Sequence, residues 1–234
     1  MNIVRQIQEE LMNNVDEKTK KNVNRFFKEE IKSYGVSIYV VSKIANKYFK
    51  EVKDLSFKEI ISICEKLLNT GYFEEACVAY KIVEKISDRF GVNDFNILER
   101  WLKIYVSNWA ECDTLCNHTV GNFIESNPLY VNRLKEWAIS ENRWVRRGAS
   151  VSIVLQARKG MFLEDIFEIA TILLYDEDDL VQKGYGWMLK EASKQHTREV
   201  FDFIQKNKKT MPRTALRYAI EKMPKDLKIE AMKK

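Results

Sequence analysis

The chain is predicted to be all-α: an α-solenoid of HEAT-like antiparallel helical pairs with a concave basic groove. Three observations carry this expectation. Eight Gly and three Pro in 234 residues leave long uninterrupted runs. Those runs are amphipathic at helical spacing, without strand-like alternation or heptads. They are also divided by short breaks, so that successive helix pairs recur roughly every 35 to 40 residues, close to the period of HEAT and armadillo repeats. Stacked pairs of this kind build a curved array whose inner helices line a groove suited to an extended partner.

In chain order, the first breaks fall at Asn13-Asn14, Ser33-Tyr34-Gly35, Lys53 to Ser56, Asn69 to Gly71 and Ser87 to Asn93. Further on they come at Ser107-Asn108, Ser126 to Pro128, Ser140 to Asn142, Lys159-Gly160, Asp176 to Asp179, Gln195 to Thr197, Thr210 to Pro212 and Pro224. About a dozen helices lie between them. Ser56 with Glu59 has capping-box spacing, Ser126 precedes Asn127 and Pro128, and Pro212 suits a first turn. Ser87 to Asn93 reads as the longest connection and the one hinge. The whole of residues 1–234 is read as one domain.

Composition narrows the function. At 45% hydrophobic and 31% charged residues the chain is an ordinary globular protein. No apolar run approaches the roughly 20 residues that span a bilayer, and the first ten residues lack a signal-peptide core. A cytoplasmic monomer with no membrane partner is expected, and Cys64, Cys77, Cys112 and Cys116 should be free thiols. Residues 1–130 hold 18 Lys and Arg against 19 Asp and Glu, whereas residues 131–234 hold 21 against 15, a surplus of six. A basic half points to a polyanion, because Lys and Arg displace counterions from phosphates.

Three stretches carry the chemistry. In Ser107 to His118, the residues Cys112, Leu115, Cys116, Thr119 and Phe123 follow a core stripe. Trp109 and Asp113, one helical turn apart, share its shoulder. A carboxylate beside an indole can hold a positive charge; the plainer reading makes Trp109 core and Asp113 a solvated residue. Cys112, Cys116 and His118 fall short of the four ligands of a structural zinc, so neither metal nor cofactor is expected. In Glu136 to Val151, Arg147 lies in the apolar row of Trp144, Val151 and Val154. A guanidinium there must find an anion, either a phosphate or an internal carboxylate, with Arg146 the alternative phosphate ligand. In Asp178 to Lys190, Gly184 and Gly186 each cost a helix about 1 kcal/mol and so imply close packing or ligand approach. Lys183, Tyr185 and Trp187 flank them. Arg213 and Arg217 form a basic stripe four residues apart, a phosphate track.

The order Trp-x-x-x-Asp, Trp-Val-Arg-Arg, Gly-Tyr-Gly-Trp-Met-Leu-Lys and Pro-Arg-Thr-Ala-Leu-Arg-Tyr-Ala-Ile resembles the AlkD-like DNA alkylation repair proteins, HEAT-repeat alkylpurine DNA glycosylases. The resemblance runs from Phe26 to Lys225. It implies that the groove holds double-stranded DNA containing alkylated bases, and that the substrates are cationic purines such as N3-methyladenine and N7-methylguanine. It also implies that Trp109, Asp113 and Trp187 are catalytic, that Arg147 grips a phosphate, and that contact is to sugar and backbone rather than to a captured base. Tyr34 to Val41 lacks the Pro and Arg that family members often carry there. A non-catalytic HEAT-repeat protein binding damaged or bent DNA is the competing expectation.

Overall fold

The computed structural model describes residues 2–233, apart from the side chains at positions 24 and 25. Among the described residues every regular element is helical, and the helices gather into two compact units that meet in sequence at Leu115 and Cys116. The N-terminal unit holds α1 (Ile3–Met12), α2 (Glu17–Phe26), α3 (Ile38–Val52), α4 (Phe57–Leu68), α5 (Phe73–Glu84), α6 (Phe95–Ile104) and α7 (Trp109–Thr114). The C-terminal unit holds α8 (Gly121–Ser126), α9 (Val131–Trp137), α10 (Arg143–Val151), α11 (Val154–Arg158), α12 (Leu163–Ile172), α13 (Asp179–Ala192), α14 (Thr197–Asn207), α15 (Arg213–Ala219) and α16 (Lys225–Met232).

In the N-terminal unit α5 is the central element, packed by α3, α4 and α7. Its core positions Ala76 to Tyr80, Ile82 and Val83 are buried on nearly every side, as a helix enclosed by others requires. The capping box of α4 forms as expected: Glu59 N–H donates to Ser56 Oγ, and the Glu59 carboxylate accepts from Ser56 N–H at 3.0 Å. The Trp101 indole N–H donates to Glu65 at 2.9 Å and ties α6 to α4.

The longest connection is residues 27–37, not Ser87 to Asn93, whose residues form two 3-10 turns. Phe27 leaves the helix in an extended conformation, although Phe26 to Lys32 has a composition compatible with continued helix. A buried carboxylate holds the far end of this loop. Glu74 Oε1 accepts from Ser33 Oγ and from the Gly35 and Val36 N–H groups, and Oε2 accepts from Tyr34 N–H, all at 2.6–3.0 Å. Backbone donors that a helix would have satisfied are taken up here by one side chain. Gly35 takes φ +91°, and a Cβ there would lie 2.5 Å from Lys20 Cβ, so only glycine lets the loop pass α2 this closely.

In the C-terminal unit α13 is central, packed by α10, α11, α12 and α15. There are more helices than the dozen expected, because long runs are divided. A π-helical turn, Leu115–Val120, separates α7 from α8. The Ser152 hydroxyl donates back to the Gly148 carbonyl at 2.7 Å, where α10 gives way to α11. Ser126 closes α8 rather than capping a helix, and Pro128 opens a 3-10 turn. Pro212 stands just before α15 instead of inside its first turn. Cys112, Leu115, Cys116, Thr119 and Phe123 are all buried, as their spacing predicted, and the four cysteines are free and buried.

Candidate active site

The start of α7 is held firmly. Asn108 Oδ1 accepts the Glu111 N–H at 3.0 Å, and Glu111 Oε2 accepts the Ser107 N–H and hydroxyl at 2.8 and 3.1 Å. This reciprocal capping fixes where the helix begins and hence the direction of Trp109. Burial pushes the Glu111 carboxyl above the usual carboxylate range, against the hydrogen bonds from Ser107 and Asn108 that favour its ionised form.

From that start, the helical step places Trp109 and Asp113 on one face, and both line a cavity of about 500 Å³ within the N-terminal unit. Its other walls include Phe26 and Phe27 from the end of α2, Val36 from the loop, and Phe73 and Cys77 from α5. The rings form one cluster: Trp109 lies 5.4 Å from Phe26 and 5.6 Å from Phe27, and Phe27 lies 5.4 Å from Phe73, centroid to centroid. Trp109 and Asp113 are both half-buried, so each reaches the cavity from a packed base. Burial pushes the Cys77 thiol far above its ordinary range, which favours the neutral thiol over the thiolate.

On α10 the arginines are engaged within the protein. Arg143 pairs with Asp178 at 2.7 Å and lies over the Trp144 ring, 4.7 Å from its centroid. Arg146, the alternative phosphate ligand, binds Asp176 at 2.6 Å and donates to the Ser140 and Glu141 carbonyls at 2.9 Å. Its fork of donors holds two loops together. Trp144 is buried. Arg147 is 5% exposed, and its guanidinium donates to the Leu180 carbonyl on α13.

On α13, Gly184 and Gly186 serve close packing on two sides. A Cβ at Gly184 would lie 2.9 Å from Ser150 Oγ on α10, and one at Gly186 would lie 2.7 Å from Tyr218 Cβ on α15. Tyr185 is fully buried, so of the two roles open to the aromatics beside these glycines its ring takes the core one, because α13 is covered by neighbours on both flanks. Trp187 is half-buried. Lys183 pairs with Asp179 at 3.0 Å. Arg213 and Arg217 are exposed on α15, Arg213 within 3.4 Å of the Met232 sulfur.

A family profile described as DNA alkylation repair enzyme matches residues 7–223. The chain belongs to that family. Its fold is similar to that of a predicted DNA alkylation repair enzyme from Enterococcus faecalis, with a TM-score of 0.82 at 15% identity over 91% of this chain and 98% of the other. It is also similar to the Pseudomonas fluorescens alkylpurine DNA glycosylase AlkC bound to DNA containing an abasic site analog, with a TM-score of 0.54 at 14% identity over 98% of this chain and 65% of the other. No curated protein matches. In this family member, sequence reasoning missed Phe26, Phe27 and Phe73 as walls of the cavity, and missed Glu111 as the residue that sets the start of α7. The available signals were the Phe26-Phe27 doublet and the Asn108-x-x-Glu111 spacing.

Proposed function

We propose that this member of the DNA alkylation repair family is a DNA glycosylase that releases cationic N-alkylated purines, such as N3-methyladenine and N7-methylguanine, from duplex DNA. The observation that carries the reading is the pairing of Trp109 and Asp113 on one rigidly capped helical turn, facing one aromatic cavity. The AlkC structure, an alkylpurine DNA glycosylase on abasic-site DNA, supports DNA as the partner. The family match runs through both units and supports treating 1–234 as one working domain.

An alkylated purine already carries positive charge, so its departure needs no protonation of the base. The N-glycosidic bond breaks with its electron pair going to the base, which leaves neutral, and the sugar becomes an oxocarbenium-like cation at C1′. Asp113 carries the charge that opposes this cation and orients the water whose oxygen bonds to C1′; the water proton passes to the carboxylate or to solvent. Trp109 shields the sugar, a role the family resemblance also gives to Trp187. The resemblance assigns a backbone phosphate to Arg147, which would share that guanidinium with the Leu180 carbonyl. Arg213 and Arg217, both exposed, supply further phosphate contacts.

Incubating the purified protein with duplex containing N7-methylguanine and separating free base by chromatography tests the proposal. Release of N7-methylguanine above the spontaneous rate is expected. A protein that binds the duplex but releases no base is the non-catalytic DNA-binding reading instead.

A further inference from the structure

Residues 27–37 supply one wall of the site without belonging to any helix. Phe27 and Val36 both line the cavity, and Phe27 stands 5.6 Å from Trp109 and 5.4 Å from Phe73, centroid to centroid. A segment outside a helix has no ladder of its own, so its backbone groups must be satisfied from elsewhere. The first turn of α5 does this. Phe73 N–H donates to the Lys32 carbonyl at 2.9 Å. Glu74 accepts from four donors, the Ser33 hydroxyl and the N–H groups of Tyr34, Gly35 and Val36, at 2.6–3.0 Å. Glu75 accepts from the Tyr34 hydroxyl at 2.6 Å and from the Gln8 amide at 2.9 Å.

We infer that Glu74 is a positioning residue for this site: its carboxylate fixes residues 33–36, and through Val36 and Phe27 the wall against which the Trp109 indole is set. It is fully buried and acts only through the backbone it holds. Oε1 accepts three of the four donors, the Val36 N–H among them, and Oε2 accepts the Tyr34 N–H. A carboxylate meets this demand and an amide does not. Glutamine would keep three donors at its carbonyl oxygen and set its NH2 against the Tyr34 N–H, donor facing donor. Trp109 is thus oriented from two sides, by the Asn108 and Glu111 capping of its own helix and by Phe27 beside it. Groups at a reacting centre need such support, since they must be held to within about 0.5 Å of the productive geometry. The consequence for base release rests on the excision reading; the orientation of Trp109 does not.

Fluorine NMR of the full chain labelled with 5-fluorotryptophan reads that orientation without DNA. The chain has five tryptophans, and Trp109→Phe identifies the Trp109 signal. Glu74→Gln is expected to shift or broaden this signal, while those of Trp137, Trp144 and Trp187 in the C-terminal unit stay in place. Single-turnover release of base from N7-methylguanine duplex should slow by about tenfold at unchanged DNA affinity. That is less than the roughly 10²-fold cost of a 1 Å misplacement, because three of the four bonds remain. Glu191→Gln, destabilised in the C-terminal unit, is the control: it should melt lower and keep both the Trp109 signal and the rate. A Glu74 that served the fold alone would behave in the same way. A wild-type Trp109 signal in folded Glu74→Gln, or a shifted signal with undiminished release, would therefore overturn the inference. If Glu74→Gln does not fold, Ser33→Ala, which takes the Ser33 hydroxyl from the Glu74 carboxylate, decides by the same two readouts. Absence of release by wild type, with the Trp109 signal moved by Glu74→Gln, removes the excision reading and leaves Glu74 as the residue that sets Trp109.

Discussion

Asp113 is one helical turn from Trp109, and its charge is the feature on which the proposed chemistry depends most. Asp113→Asn preserves shape and removes that charge. Base release from N7-methylguanine duplex is expected to fall by about 2.7–4 kcal/mol in activation free energy, the effect of deleting one electrostatic stabiliser. Single-turnover excision assays measure this, and an unchanged rate excludes Asp113 from the mechanism. Arg147 divides differently. Its guanidinium is buried and bonded to the Leu180 carbonyl, so Arg147→Ala leaves a buried acceptor without that donor. A loss of about 1.5–3 kcal/mol, or roughly 3–10 °C in melting temperature, is expected. If Arg147 also meets a phosphate, the same variant shows a salt dependence of DNA binding shallower by about one phosphate. A normal melting temperature would mean that the Leu180 contact contributes nothing to the fold.

At the scale of elements, α13 is the part of the C-terminal unit on which the others converge. Gly186→Ala would gain about 1 kcal/mol of helix propensity. Against this, its Cβ would stand 2.7 Å from Tyr218 Cβ and 2.8 Å from the Ala215 carbonyl oxygen. Such overlap pushes α15 away at about 1–3 kcal/mol, so the substitution is expected to destabilise on balance. Urea unfolding reads the sign. The opposite end of α13 carries Glu191, buried against Arg158 of α11 and against Lys194, both at 2.6 Å. Burial works to raise its carboxyl, but hydrogen bonds from Lys194 and Arg158 and their charges bring it below its ordinary value. A depressed folded-state value means that the stabilisation is present above the ordinary carboxylate range and is lost as pH falls through the folded value. Glu191→Gln should therefore unfold more readily than wild type at pH 7, and the gap should close towards pH 3. A gap that is constant with pH would show that packing rather than charge holds α11 to α13.

For the whole molecule, charge is distributed unequally. Residues 1–115 hold 18 basic and 18 acidic residues, and residues 116–234 hold 21 and 16, so the net charge of +5 belongs to the C-terminal unit. Duplex binding without strong sequence preference is expected, with affinity falling steeply as salt rises because each neutralised phosphate contributes about 0.9 to the log–log slope. Replacing Arg213 and Arg217 together by Ala should reduce that slope by up to about two phosphates without lowering thermal stability, since both side chains are exposed. Fluorescence anisotropy across a salt series measures it. An unchanged slope removes α15 from the DNA-binding surface.

The sequence by itself determined the all-helical class, most of the breaks, the core stripe through Cys112 and Phe123, and the shared face of Trp109 and Asp113. Each follows from helical periodicity and local capping, which act within a few residues. The motif order was enough to recognise the family. Tertiary structure decided what depends on residues far apart in the chain. Glu74 takes the amides of Tyr34, Gly35 and Val36 in the loop after α2, and Phe26 and Phe27 at the start of that loop lie against Trp109. Asp176 claims Arg146, the Leu180 carbonyl takes the Arg147 guanidinium, and the neighbours of α13 bury Tyr185. Local pattern shows that an arginine sits in an apolar row or that an aromatic flanks two glycines. Which partner satisfies the charge, and whether the ring faces solvent, depends on long-range packing, where an unpaired buried charge or polar group costs several kcal/mol and the fold selects whichever neighbour removes that cost.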